Sequence, residues 1–97
     1  MSMQLPADLL TFLAATFLPE QQERAVQLLS QARIEDGTTP SPRVLRCAAF
    51  ASRGQLQRLE QYVAQIALDL RDVIMAGEYE HRDGQAVRVR DLDLPFA

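Results

Sequence analysis

His81 and Cys47 are the side chains best suited to proton transfer or nucleophilic attack, and the sequence holds one of each. They stand 34 positions apart. They cannot make a Cys₂His₂-type site, and no His–x₃–His pair exists, so no metal is expected. A reactive thiol needs polar, partly exposed surroundings. Cys47 instead lies beside the small apolar face of a helical segment, where an unpaired cysteine is inert filler. His81 falls on the apolar side of an alternating segment and is expected to be packed and hydrogen-bonded. Carboxylates come in pairs: Asp69 with Asp72, Glu78 with Glu80, Asp91 with Asp93. Acids two apart on a strand point the same way, which general acid–base catalysis can use. Each pair also has a local structural task, either capping a helix or pairing across strands with Arg88 and Arg90. The four glycines stand singly and each reads as a turn or cap, so no loop cradles a phosphate and no cofactor is expected.

One charge feature rises above background. Residues 43–58 hold four arginines and no acid, whereas residues 69–97 hold seven acids and four arginines. At helical spacing Arg43, Arg46 and Arg53 fall in one quadrant of a helix, with Phe50 among them. Such a strip can dock an acidic partner or phosphates. It can equally meet the acidic C-terminal part of its own chain. The net charge of −3 argues against a general nucleic-acid coat. A helix–turn–helix around Gly54 needs a small residue about four places before the glycine and an apolar one about six places after it. Phe50 and Glu60 occupy those positions, so nucleic acid is not the expected partner. All ten basic residues are arginine, a usage that GC-rich, bacterial-style coding explains.

The elements that must position these residues are mainly helical. Leu56, Leu59, Val63, Ile66, Leu70 and Val73 recur every three or four residues, with Tyr62, Ala67 and Ile74 widening the stripe to a core-facing surface. Asp69 can cap a fresh helix together with Asp72, so a break is expected there. Before this stripe, Pro6 and Pro19 each suit a first helical turn. Leu9, Leu10, Leu13, Phe17 and Phe12 give one apolar face, and Ala25, Val26, Leu28, Leu29 and Ala32 another. Residues 35–41 are a connector of turn formers. Ser41 and Pro42 begin a third helix with a small-residue face at Val44, Leu45, Ala48, Ala49 and Ser52, and Gly54 ends it in a left-handed turn.

After residue 77 the period becomes alternating. A three-residue loop, Arg82-Asp83-Gly84, would set Tyr79 against Val87 and Glu78 against Arg88. Tyr79, His81, Val87 and Val89 then share one face of a hairpin, and Glu78, Glu80, Arg88 and Arg90 the other. Leu92, Leu94 and Phe96 alternate onto one side of the tail. That tail either folds back over residues 55–77 or crosses to a second copy, which would make a homodimer.

The expected fold is therefore mainly α (α+β): a four- to five-helix bundle with a small C-terminal β-hairpin and extended tail, in one domain over residues 1–97. Helices are expected at about 6–18, 20–33, 42–53, 55–68 and 70–77, the hairpin at 78–91 and the tail at 92–97. At 97 residues, 47% of them apolar, the chain can fold alone with roughly 60–65% of its surface buried. A single cysteine excludes an internal disulfide. Residues 9–18 lack the basic lead of a signal peptide, and no run approaches a membrane span. The expectation is a cytoplasmic, non-catalytic protein–protein interaction or regulatory protein with a protein partner. Its contact residues would be Arg43, Arg46, Phe50, Arg53, Tyr79, His81, Arg88, Arg90, Leu92, Leu94 and Phe96. The alternatives are a DNA-binding regulator using the third and fourth helices, or a small enzyme using His81 and the hairpin carboxylates.

Overall fold

In the computed structural model, which describes residues 5–96, five helices precede a two-stranded antiparallel hairpin. The helices are α1 (Ala7–Thr16), α2 (Pro19–Gln31), α3 (Pro42–Ala51), α4 (Leu56–Leu68) and α5 (Leu70–Glu78), and the strands are β1 (Tyr79–Arg82) and β2 (Gln85–Arg88). The tail's last residue, Ala97, lies outside the described residues. Among the described residues, no helix is long and apolar enough to cross a membrane.

The 56–73 stripe turns inward as its spacing demands. Leu59, Ile66 and Val73 are fully buried, and Leu56, Tyr62, Val63, Leu70 and Ile74 pack against them partly exposed. Ala67 does not join them: it faces solvent, and Leu68 beside it is 70% exposed. The break falls at Asp69, whose backbone is extended and whose Oδ1 accepts the Arg71 N–H at 3.1 Å. The reciprocal half of the capping box does not form. The Asp69 N–H still donates to the Gln65 carbonyl at the end of α4, and Asp72 instead accepts from the Gln65 side chain. Replacing Asp69 with alanine removes the acceptor at the start of α5. It should lower the melting temperature by about 4–8 °C, read by circular dichroism.

The most deeply placed helix is α3, not the α4–α5 pair. Val44, Leu45, Arg46, Cys47, Ala48, Ala49 and Ala51 are all buried in it. Small side chains let neighbours approach on several sides, and α5 lies closest, with α4 and α1 also in contact. At the α3–α5 crossing Gly77 sits against Cys47, where a Cβ on residue 77 would lie 2.6 Å from the Cys47 Cβ. Gly77 is thus a helix-packing glycine inside α5, not a turn or cap. Gly54 is the expected turn residue at φ +74°, following Arg53 at φ +53°, and its tight fit against the Thr16 carbonyl brings the end of α1 to the α3–α4 corner. In α1, Leu9 and Leu13 are buried, but Leu10 rides the outer side of the helix. The chain leaves α1 at Phe17, which is also buried.

The hairpin corrects the expected register. Asp83 and Gly84 both have positive φ, 51° and 78°, as a two-residue type I′ turn requires. Tyr79 therefore opposes Arg88, Glu80 opposes Val87, His81 opposes Ala86 and Arg82 opposes Gln85. Neither apolar nor charged residues are sorted onto one face. Sorting is rewarded only when one face is buried, and residues 80–88 are exposed throughout. The Asp-Gly pair, with its right-handed match to strand twist, decides instead.

The tail does not lie over residues 55–77. It turns at 91–94, where the Asp91 carboxylate accepts the Asp93 N–H, and runs back beside α1 and α3. Leu92 is buried and Phe96 is half-buried, while Leu94 is 61% exposed, so the turn breaks the expected one-sided alternation.

Candidate interaction surface around Glu78 and the hairpin

Of the four hairpin charges that the sequence assigns to one outer face, Glu78 turns inward and becomes fully buried. Arg43 donates from Nε to Glu78 Oε2 at 2.9 Å and from Nη2 to Glu78 Oε1 at 2.7 Å. Arg88 donates from Nε to Glu78 Oε1 at 3.0 Å, and the Leu92 N–H donates to Oε2 at 3.0 Å. Glu78 is itself fully buried, and its carbonyl accepts the Val89 N–H at 2.8 Å. One residue thus joins α5, α3, β2 and the tail. Each carboxylate oxygen accepts two hydrogen bonds. The bond from Arg43 does most to pull the acid down to about 2, with help from Arg88 and the Leu92 amide, against burial, which works the other way.

Arg46 makes a second internal pair. It donates from Nε and Nη2 to the two oxygens of Asp8 at 2.9 and 3.2 Å, and from Nη1 to the carbonyls of Leu92 and Asp93 at 3.3 Å. Asp8 also accepts the Phe96 N–H at 3.1 Å, and its acid is lowered chiefly by the Arg46 bond. The arginine strip is therefore largely a tail clamp. Arg43 and Arg46 are committed inside the molecule, and only Arg53 stays exposed.

Arg53 and Arg90 both lie over the Phe50 ring, at 4.9 and 4.3 Å from its centroid. Phe12 follows at 6.4 Å from Phe50, and Phe96 stacks on Phe12 at 4.1 Å. Arg90 also donates to the Gly77 carbonyl at 2.7 Å and reaches Glu80 at 3.4 Å. The structure thus gathers Arg43, Arg46, Phe50, Arg53, Arg88, Arg90, Leu92 and Phe96 into one continuous clamp. Tyr79 sits at its edge. His81 and Leu94 stand apart in solvent.

His81 is exposed, not packed on an apolar face, and its side chain makes no hydrogen bond among the described residues. Glu78 has every acceptor position filled, while Glu80 bonds Arg82 at 3.0 Å as well as Arg90. Burial is the main cause pushing the Cys47 thiol up to about 12, away from the thiolate. An open groove of about 830 Å³ lies elsewhere, between the 32–41 connector and the α4–α5 break, with Ile34, Ile66 and Leu70 lining it.

Sequence reasoning missed the central role of Glu78 and the part played by Asp8. Alternation placed Glu78 on the wet face of a strand, and its partner Arg43 is 35 residues away. The available signal was the surplus of arginine opposite a chain segment rich in acids, which pointed to internal pairing without naming the partners. No family model matches the chain, and neither a curated protein nor a solved structure matches it.

Proposed function

We propose that this chain is a small, non-catalytic interaction protein of the cytoplasm whose contact element is the β-hairpin, presented as an open strand edge to a partner. One observation carries the reading: the hairpin is anchored through a buried ionic hub while its residues 80–88 remain exposed. A two-stranded hairpin is marginal by itself in water. Here Glu78 fixes its base through Arg88 and the Val89 amide, so the strands are held out as a rigid template. Strand addition to such an edge gains affinity from main-chain hydrogen bonds and specificity from alternate side chains. The arginine strip fits this role less well, because Arg43 and Arg46 already hold the chain's own acids. The single buried thiol and the absence of a disulfide accord with a reducing compartment.

His81→Pro tests the reading without disturbing the internal ladder. His81 opposes Ala86 at a position whose own N–H points away from β2. Proline there removes an outward donor and adds bulk at the edge. Used as bait in a native lysate, the variant should lose at least one companion that the wild type retains, with an unchanged melting curve. Recovery of the same companions by both would overturn the proposal. Truncating the tail is a poorer probe, because Leu92 and Phe96 are part of the fold.

A further inference from the structure

The partner for which the β1 edge is best matched is the β1 edge of a second copy, and we propose that two chains pair antiparallel across a dyad at His81. This rests on the reading of the hairpin as an open strand edge and names its occupant. The argument begins with the turn. A two-residue loop closes on a hydrogen-bonded pair, Arg82 with Gln85, and the alternation of an antiparallel ladder makes Glu80 with Val87 the next. The Val89 N–H to Glu78 carbonyl bond at 2.8 Å continues the same series. Tyr79 and His81 therefore direct their backbone groups outward. The Tyr79 N–H is taken by the Met75 carbonyl at the end of α5. The Tyr79 carbonyl, the His81 N–H and carbonyl and the Asp83 N–H have no hydrogen-bond partner among the described residues.

Three dyad registers bring outward groups together, and hydrogen bonding and charge separate them. With Tyr79 opposite Tyr79 of the copy, the central pair needs an N–H that Met75 already holds. With Tyr79 opposite His81, Glu80 faces Glu80 directly, a like-charge pair that disfavours association. With His81 opposite His81, two N–H···O=C bonds form at the dyad, and each Tyr79 carbonyl meets the Asp83 N–H of the other chain. In that register Glu80 faces Arg82 of the copy on both sides of the axis, at the closely spaced non-hydrogen-bonded positions. The sequence of this edge, Glu80-His81-Arg82, is thus self-complementary under two-fold rotation. Within one chain Glu80 and Arg82 already lie on one face and touch at 3.0 Å, so pairing joins two such couples into a ring of alternating charge.

The β2 edge fits a copy less well. Its outward residues are Ala86 and Arg88, the Arg88 side chain is held by Glu78 and Asp91, and the chain turns into the core by Leu92. A pairing confined to residues 79–83 of each chain buries less than the roughly 1,200 Å² of stable complexes, so the dimer is a weak, reversible one.

Sedimentation velocity at low salt, with protein at about 10 to 500 µM to span such weak association, tests the register. The wild type should rise from its 10.9 kDa chain mass toward twice that value. Glu80→Arg alone and Arg82→Glu alone each set like charges across the axis and should weaken association by about tenfold or more. Mixed in equal amounts, the two variants regain both opposite-charge pairs and should associate as one-to-one heterodimers. Both substitutions are on exposed side chains, and melting curves check that each variant folds. A wild type that stays at one-chain mass throughout overturns the pairing, as does a mixture no heavier than its components. If the wild type is monomeric while His81→Pro still loses a different companion from lysate, the open-edge reading stands and the second copy is ruled out as its occupant.

Discussion

Glu78→Gln should lower the melting temperature by about 12–24 °C, the largest loss expected from any single isosteric change in this chain. The side chain keeps its shape, so the effect is electrostatic. Oε1 accepts from Arg43 and Arg88, and Oε2 accepts from Arg43 and the Leu92 amide. Whichever way the glutamine amide is turned, its NH₂ group points at two donors. The Arg43 guanidinium then sits two-thirds buried with no anion beside it. Breaking a buried pair by removing one partner costs about 3–5 kcal/mol, most of it the uncompensated charge left behind. The carboxyl's own shift is of the same size. Glu78 falls from 4.5 to about 2 on folding, a difference worth about 3 kcal/mol. The two agree.

The same shift fixes the pH dependence. A carboxylate whose folded value lies below its unfolded one contributes stability that is fully present above the unfolded value. That stability is lost as pH falls through the folded value. Here the window runs from 4.5 down to about 2. Wild-type stability should therefore decline steeply across that interval, with Asp8, also lowered by its arginine, adding to the slope. Glu78→Gln should start lower at neutral pH and decline less, so that the two curves converge near pH 2. Thermal melts at half-unit intervals from pH 7 to 2 read both effects. Parallel curves would show that Glu78 is not the group being titrated.

What the chain reveals in sequence is what local chemistry decides. Asp69 interrupts an otherwise continuous apolar stripe because its carboxylate can hold the Arg71 amide, and that choice depends on residues only two apart. Ser41-Pro42 and Gly54 likewise mark the limits of α3 by short-range rules. The hairpin register failed for a related reason. Polarity sorting presumes a buried face, yet no core lies under residues 80–88, and the Asp83-Gly84 turn was the better guide. The site was less legible than the fold. Asp8 meets Arg46 across 38 residues and Phe96 across 88, and no periodicity spans such distances. Glu78 is harder still, since it stands where helix becomes strand. There neither a 3.6-residue nor a 2-residue period says which way a side chain points.

Gly77 poses the sharpest conflict between a local rule and packing, and Gly77→Ala should lower the melting temperature by about 8–16 °C. Propensity alone argues the reverse. Alanine in a helix is favoured over glycine by up to about 1 kcal/mol, and Gly77 has no left-handed backbone angle to forbid it. The added methyl would however lie 2.6 Å from the Cys47 Cβ and 2.7 Å from its Cα. Neither atom can rotate away, so α3 and α5 must separate along the closest helix pair in the molecule. Overpacking of this kind costs typically about 1–3 kcal/mol and outweighs the propensity gain. Separation also pulls Glu78, the next residue, away from Arg43 on α3, so the loss extends into the ionic hub. Trimming the thiol distinguishes backbone from side-chain obstruction. Cys47→Ala removes only the Sγ contact, at 2.9 Å, and leaves both the Cβ and the Cα in place. The double variant should therefore stay well below the Cys47→Ala single variant, with partial relief at most from the coupling of neighbouring sites. Calorimetry showing the double variant restored to wild-type stability would place the obstacle at Sγ instead, and a Gly77→Ala protein that melts above the wild type would mean that the two helices are not held at this distance.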